Sequence, residues 1–232
     1  MTSSSSNTGD QKPIVTYRPF VADDFEAAAR LFQNQWCTEI SDEAGRIASQ
    51  ADLCGYLEQV NWGIVAEKPQ VSGTAAQLLG VALLSINGQP CPWAQTWTER
   101  REALLAQAAT DPSLLAEVKG DLGMIAEEGQ LGREYAASGQ LGSGAELKLL
   151  IVSPAAQGLG VGGRLFSAAR EASYDAAGGV FLITDDGCDV GFYEHKGLTR
   201  MVSRPSQMAQ VAYPQETGDF NIYVYAEGSE QR

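Results

Sequence analysis

Positive charge is scarce in this sequence, and histidine nearly absent. Lys and Arg number 16 against 29 Asp and Glu, a formal net charge of −13. Nucleic acids and anionic membranes both demand a positive surface, so neither is expected as a partner. An acidic chain suits a cationic substrate, and it also suits solubility alone. His195 is the one histidine, so a serine or cysteine triad has only that residue to centre on. It lies two residues from Tyr193, where positions on a helix do not share a face, and it reads as a surface residue. Cys37, Cys54, Cys91 and Cys188 are far apart and lack C-x-x-C spacing. Neither a zinc site nor a disulfide framework is indicated, so no metal is expected and a reducing cytoplasm is the expected location. Cys188 is flanked by carboxylates, which raise a thiol's pKa instead of activating it. No apolar run approaches the roughly 20 residues that span a bilayer. The start, 1–13, is Ser/Thr-rich without the basic and apolar regions of a secretory signal, and is read as a disordered tail.

What is present fits one globular domain over 14–227. The chain has 232 residues, 44% of them apolar, enough for a sizeable core. Ile14 to Arg18 reads as a strand ended by Pro19, and Asp23 as the cap of a helix from Asp24 to Trp36. A second helix covers Glu43 to Gln59. Trp62 to Lys68 and Leu78 to Asn87 flank a Ser/Gly/Thr-rich loop and suggest a hairpin. From Gly88 to Gly144 the spacing predicts three helices: Trp97 to Ala109, one opened by Asp111-Pro112 as N-cap and N1, and Leu122 to Ala137. Leu198 to Val202 and Asn221 to Ala226 read as closing strands around a loop with Pro205 and Pro214.

The most informative segment joins the strand Leu147 to Val152 to an amphipathic helix carrying Val161, Leu165, Ala169 and Ala172 on one stripe. Four glycines, Gly158, Gly160, Gly162 and Gly163, lie at the junction. Free N–H groups at a helix start attract an anion, and glycine lets it approach the main chain. Gly158, Gly160 and Gly163 also satisfy the dinucleotide pattern G-x-G-x-x-G, a weak signal alone. A nucleoside-triphosphate loop needs Lys then Ser or Thr, where this chain has Arg164-Leu165.

Val152-Ser153-Pro154, two alanines, then Gln157-Gly158-Leu159-Gly160-Val161-Gly162 resembles motif A of the GNAT superfamily of N-acetyltransferases. Phe192-Tyr193-Glu194-His195-Lys196-Gly197-Leu198 resembles the Phe-Tyr-x-x-x-Gly-Phe of its motif B, with Leu198 replacing the last Phe. The resemblance runs from Ile14 to Ala226 apart from the insertion at 88–144. It implies an α/β (α+β) fold with a mixed central sheet flanked by helices, here with a helical insertion between the third and fourth strands. It further implies acetyl-CoA as cosubstrate and a primary amine of a small molecule or peptide as acceptor. By that resemblance Ile151, Val152, Gln157, Gly158, Leu159, Gly160, Val161, Gly162, Gly163 and Asp186 hold the cofactor. The family often has Asn at the place of Asp186. Tyr193 would be the general acid that protonates the departing thiolate, although Phe192-Tyr193 also suits a purely packing role. Glu146 stands where some members carry the base; simple alternation puts it on one face with Lys148, Leu150 and Val152. An inactive acyl-CoA-binding sensor and a dinucleotide-binding protein remain as alternatives. The insertion's role, as acceptor pocket, homodimer surface or stabilising flap, is open.

Overall fold

The computed structural model describes residues 14–69, 76–139, 144–212 and 220–227. The tail 1–13, the body of the Pro69 to Gln77 loop and Pro214 lie outside the described residues. One sheet holds β1 (Thr16–Pro19), β2 (Trp62–Lys68), β3 (Gln77–Ile86), β4 (Ala145–Val152), β5 (Val180–Asp185), β6 (Leu198–Pro205) and β7 (Asn221–Glu227). Their order is β1-β2-β3-β4-β5-β7-β6. Every neighbouring pair is antiparallel except β4 and β5, which run parallel.

The helices are α1 (Phe25–Trp36), α2 (Asp42–Leu57), α3 (Ala94–Ala108), α4 (Pro112–Ala137), α5 (Val161–Ala177), α6 (Val190–His195) and α7 (Gln207–Ala212). On one face of the sheet α5 buries Val161, Leu165, Phe166 and Ala169 against β3, β4 and β5. On the other, α1, α2, α3 and the first half of α4 share a core with Val81, Leu83, Leu149 and Ile151. The second half of α4 sets Leu131 and Tyr135 on Phe181, Ile222 and Val224. Helix α3 is tied to α1 by Phe25 stacked on Trp97 at 5.0 Å, with the Arg100 guanidinium 3.8 Å from the Phe25 ring.

Several sequence expectations are corrected. Asp23 is exposed and caps nothing; a 3-10 turn precedes α1, and Asp24 takes the Val21 N–H at 2.9 Å and both Arg18 terminal nitrogens at 2.7 and 2.8 Å. Asp111 does cap α4, accepting from Ser113 N and Leu114 N at 2.8 and 3.3 Å. From there α4 runs unbroken to Ala137, where two helices were expected. Its glycines permit close packing without ending the helix: Met208 of α7 fills the place a Gly123 side chain would need. Helix α7 itself occupies part of the expected loop. Glu127 of α4 anchors it, accepting from Ser206 Oγ at 2.6 Å and Gln207 N at 2.9 Å.

The alternation along β4 also breaks. Leu83 pairs with Leu149 but Leu84 with Leu147, so Lys148 is an extra residue in the ladder. A bulge flips the side of everything beyond it. Ala145 and Leu147 therefore face α5, while Leu149 and Ile151 face the opposite helices. Glu146 and Lys148 do not share a face with Leu150 and Val152 as simple alternation predicts.

Strands β3 and β4 and helix α5 meet most tightly at Gly80. A Cβ there would stand 2.9 Å from the Ile151 carbonyl oxygen and 2.9 Å from Leu165 Cδ1. Because the carbonyl belongs to the sheet ladder and cannot move aside, Gly80→Ala is expected to destabilise the fold by about 1–3 kcal/mol. Urea unfolding measures this; unchanged stability would mean that the strands separate more easily than their pairing indicates.

Candidate active site

Pairing between β4 and β5 covers only Ala145 with Val180, Glu146 with Phe181 and Leu147 with Leu182. Beyond the Lys148 bulge the strands separate, leaving the β5-facing edge of Leu149 to Val152 without a ladder partner. Three cavities sharing walls follow that gap. An outer cleft of about 540 Å³ runs past Leu150, Ile151 and Val152 to the glycine loop and is closed by Trp36, Phe192 and Tyr193. A central cavity of about 490 Å³ shares Trp36, Leu150, Cys188 and Tyr193 with it. An inner cavity of about 230 Å³ continues behind Leu147, Lys148 and Ile183.

At the outer end, Gly160 caps α5 with φ +72°, and Gly158 has φ +76°, left-handed conformations that favour glycine. No atom comes within 4 Å of where a Cβ would stand at either. The first bond into α5 runs from Arg164 N to Gly160 O at 3.1 Å. The N–H groups of Val161, Gly162 and Gly163 therefore have no partner within the helix. Lys196 Nζ lies 3.2 Å from the Cβ position of Gly163, a cation beside the loop that the sequence reading passed over. The arrangement suits an anionic group approaching backbone N–H donors.

Tyr193 sits where the outer cleft meets the central cavity. Helix α6 presents it after Asp189 caps the turn, accepting from Phe192 N at 3.2 Å. The Phe166, Phe192 and Tyr225 rings surround it at 5.3–6.3 Å. Burial, with Cys188, Asp189 and Asp185 adding to it, holds the phenol well above its ordinary pKa, so it keeps its proton. Cys188 is pushed up to about 12, by burial first and then by Asp185. It is a neutral thiol and a poor nucleophile.

The predicted site residues do not all converge. Gln157, Gly158, Gly160, Val161, Gly162 and Gly163 line the outer cleft with Ile151 and Val152. Leu159 instead packs against the core beneath α5. Asp186 is committed to β7: its Oδ2 takes Asn221 N at 2.7 Å and Nδ2 at 3.2 Å, and Oδ1 is bonded by the Tyr223 hydroxyl. Glu146 lines the inner cavity, apart from Tyr193, with Oε2 2.6 Å from Lys148 Nζ. Gly132 of α4 closes over its other oxygen. His195 is exposed.

Sequence reasoning missed a set of carboxyls brought together from distant segments. Asp52 of α2, Asp121 and Glu128 of α4 and Asp185 of β5 all line the central cavity. Burial and then Asp121 push Asp52 well above the usual carboxylate range, with Arg101 opposing. Burial and then Asp185 do the same to Glu128. No spacing signal links residues so far apart in the chain. Half of the set comes from the insertion, which thus forms a wall of the cavity. Among the described residues no cluster of His, Cys, Asp and Glu is arranged to hold a metal ion, and no helix is long and apolar enough to cross a membrane.

Comparison with known proteins places the fold. No protein-family model and no curated protein matches the sequence. Among solved structures, the chain is similar to the ribosomal-protein-S18-alanine N-acetyltransferase of Escherichia coli, with TM-score 0.51 and 12% identity over 92% of this chain and 93% of that one. It is similar at TM-score 0.51 and 14% identity to a structure from Corynebacterium glutamicum titled histone acetyltransferase HPA2 and related acetyltransferase, over 93% and 97% of the two chains. The fold is that of the GNAT N-acetyltransferases.

The buried acids predict a pH signature. A carboxyl whose pKa is higher in the folded than in the unfolded chain gives the folded state the extra proton. Stability then falls as pH rises above the unfolded value near 4. Removing that titration with Asp52→Asn is expected to raise Tm near pH 7.5, by about 2–4 °C for each kcal/mol gained. It should also flatten the decline of Tm between about pH 5 and 8. Scanning calorimetry of both proteins across that range checks it; parallel Tm curves would show that Asp52 is ionised in the folded state as in the unfolded.

Proposed function

We propose that the protein is an acetyl-CoA-dependent N-acetyltransferase that passes the acetyl group directly to a primary amine. The observation that carries this reading is the gap between β4 and β5, with a glycine-lined anion cradle at one end and a protonated tyrosine at the other. The pyrophosphate of coenzyme A belongs at the main chain of Gln157 to Gly163, with the Lys196 ammonium beside it. The free edge of β4 at Ile151 and Val152 offers backbone groups to the pantetheine arm and to the thioester oxygen, where preorganised donors stabilise developing charge.

In the central cavity the amine nitrogen attacks the thioester carbonyl, the C–N bond forms, and the C–S bond breaks. Tyr193 O–H protonates the departing sulfur. The neutral Cys188 thiol argues for this direct route over an acyl-cysteine. The ammonium of the acceptor must first lose a proton. Glu128 lines both the central and inner cavities and is the carboxyl assigned to receive that proton, with Glu146 as the carboxylate beyond it. The reading places the enzyme in the cytoplasm. The parallel pairing of only β4 with β5 speaks against the dinucleotide alternative, whose sheet is mostly parallel.

Tyr193→Phe is expected to lower kcat by about 10²–10⁴-fold with coenzyme A affinity nearly intact. Thiol release across an amine panel reads turnover; wild-type rates in the Phe variant would make Tyr193 a packing residue. The same assay tests the alternative of an inactive sensor, which would bind acetyl-CoA and release no thiol with any amine. For the cradle, Gly160→Val is expected to remove coenzyme A binding in calorimetry, and Lys196→Met to weaken it by roughly tenfold, about 1.4 kcal/mol. Unchanged affinity in both, with Tm preserved, would place the cofactor elsewhere.

A further inference from the structure

Asp52 is 2% exposed, and its Oδ2 is buried with no hydrogen-bond partner. It nevertheless forms part of the wall of both the central and the inner cavity. Asp121, facing it from α4, shares the central cavity and accepts a weak bond from Cys37 Sγ at 3.6 Å. A buried carboxylate oxygen without a donor is costly to a fold, and such groups are uncommon.

The neighbouring cations do not resolve it. Arg101 is held 3.3 Å from Glu58 and lines only the inner cavity, and Lys148 is 2.6 Å from Glu146. Neither hydrogen-bonds to Asp52. Beside the two aspartates the wall of the central cavity also includes the apolar side chains of Phe32, Met124, Ile125 and Leu149. An alkyl chain fits such walls, and a charged N–H donor at its end fits the carboxylates.

We propose that Asp52 and Asp121 form a subsite for a second ammonium group, so that the acceptor is a diamine or a longer polycation. This rests on the acetyl-transfer reading for the first ammonium, which is placed on the Tyr193 side of the cavity beside Glu128 and Asp185. Bound there, the distal ammonium supplies donors to Asp52 Oδ2 and neutralises part of the acidic wall. The same field repels acceptors that carry a carboxylate near the amine, such as free amino acids. Burial is the leading cause that pushes both aspartates up, with the charge of Asp121 adding to it at Asp52, and a cation placed beside them would favour their charged form.

The test uses the full chain, with and without coenzyme A, and two probes of equal chain length, 1,4-diaminobutane and n-butylamine. Calorimetry is expected to show the diamine binding at least roughly tenfold tighter than the monoamine. Asp52→Asn and Asp121→Asn, each verified by Tm, are expected to shrink that advantage by roughly tenfold, the effect of losing one charge-assisted hydrogen bond. Equal affinity for the two probes, binding of neither in any state, or an advantage that survives in both variants would overturn the subsite. Thiol release with acetyl-CoA separates the two readings. Acetylation of both amines with equal kcat/KM keeps the transferase and removes the subsite. Tight, Asp52-dependent diamine binding without thiol release keeps the subsite and removes the transferase.

Discussion

The working half of this molecule depends on a parallel pairing that stops. Strands β4 and β5 are joined for three residue pairs and then part after Leu147 and Leu182. Parting leaves backbone donors and acceptors exposed to an interior that must satisfy them by some other means. The bulge at Lys148 sets where this happens, since the extra residue ends regular register and turns β4 away. Lys148 is itself pinned by Glu146 at 2.6 Å, with both side chains largely buried. The glycine loop, the α5 N-terminus and Tyr193 all line the cleft that this separation opens.

Around the gap the protein has gathered negative charge at a cost to its own stability. Asp52 and Glu128 line these cavities, and desolvation is the leading cause of the raised pKa in each. Such burial is tolerated where function requires it, and stability elsewhere offsets it. Helix α4 seals the sheet with Leu131 and Tyr135, anchors α7 through Glu127, and contributes Asp121 and Glu128 to the cavity. The segment inserted between β3 and β4 therefore contributes a wall of the central cavity.

Local structure was legible to the extent that it rested on periodicity and short-range capping. The strand over Trp62 to Lys68, the helix ending at Trp36, the Asp111-Pro112 helix start and the glycine junction before Val161 were all readable from neighbours in sequence. The errors share one cause. Asp23 lost its expected role to Asp24 because Arg18 of β1, itself held by Glu67 of β2, binds the latter. Helix α4 continued through Gly120 and Gly123 because Met208 packs where a side chain would stand at the second. The alternation along β4 failed because, in its pairing with β3, Lys148 is an extra residue in the ladder. In each case a distant contact outweighed a local preference.

By itself the sequence determined the fold class, the glycine turn into α5 and the tyrosine that follows it, because glycine conformation, helix amphipathicity and strand patterning act over a few residues at a time. Only the tertiary structure decided what faces that tyrosine. Asp186, expected at the cofactor, is bound to β7. Asp52, Asp121 and Glu128, unremarkable in the chain, join Asp185 in the cavity wall. The physical reason is that a carboxylate's role is set by its burial and its neighbours' charges, and both are properties of the packed molecule that no spacing in the sequence encodes.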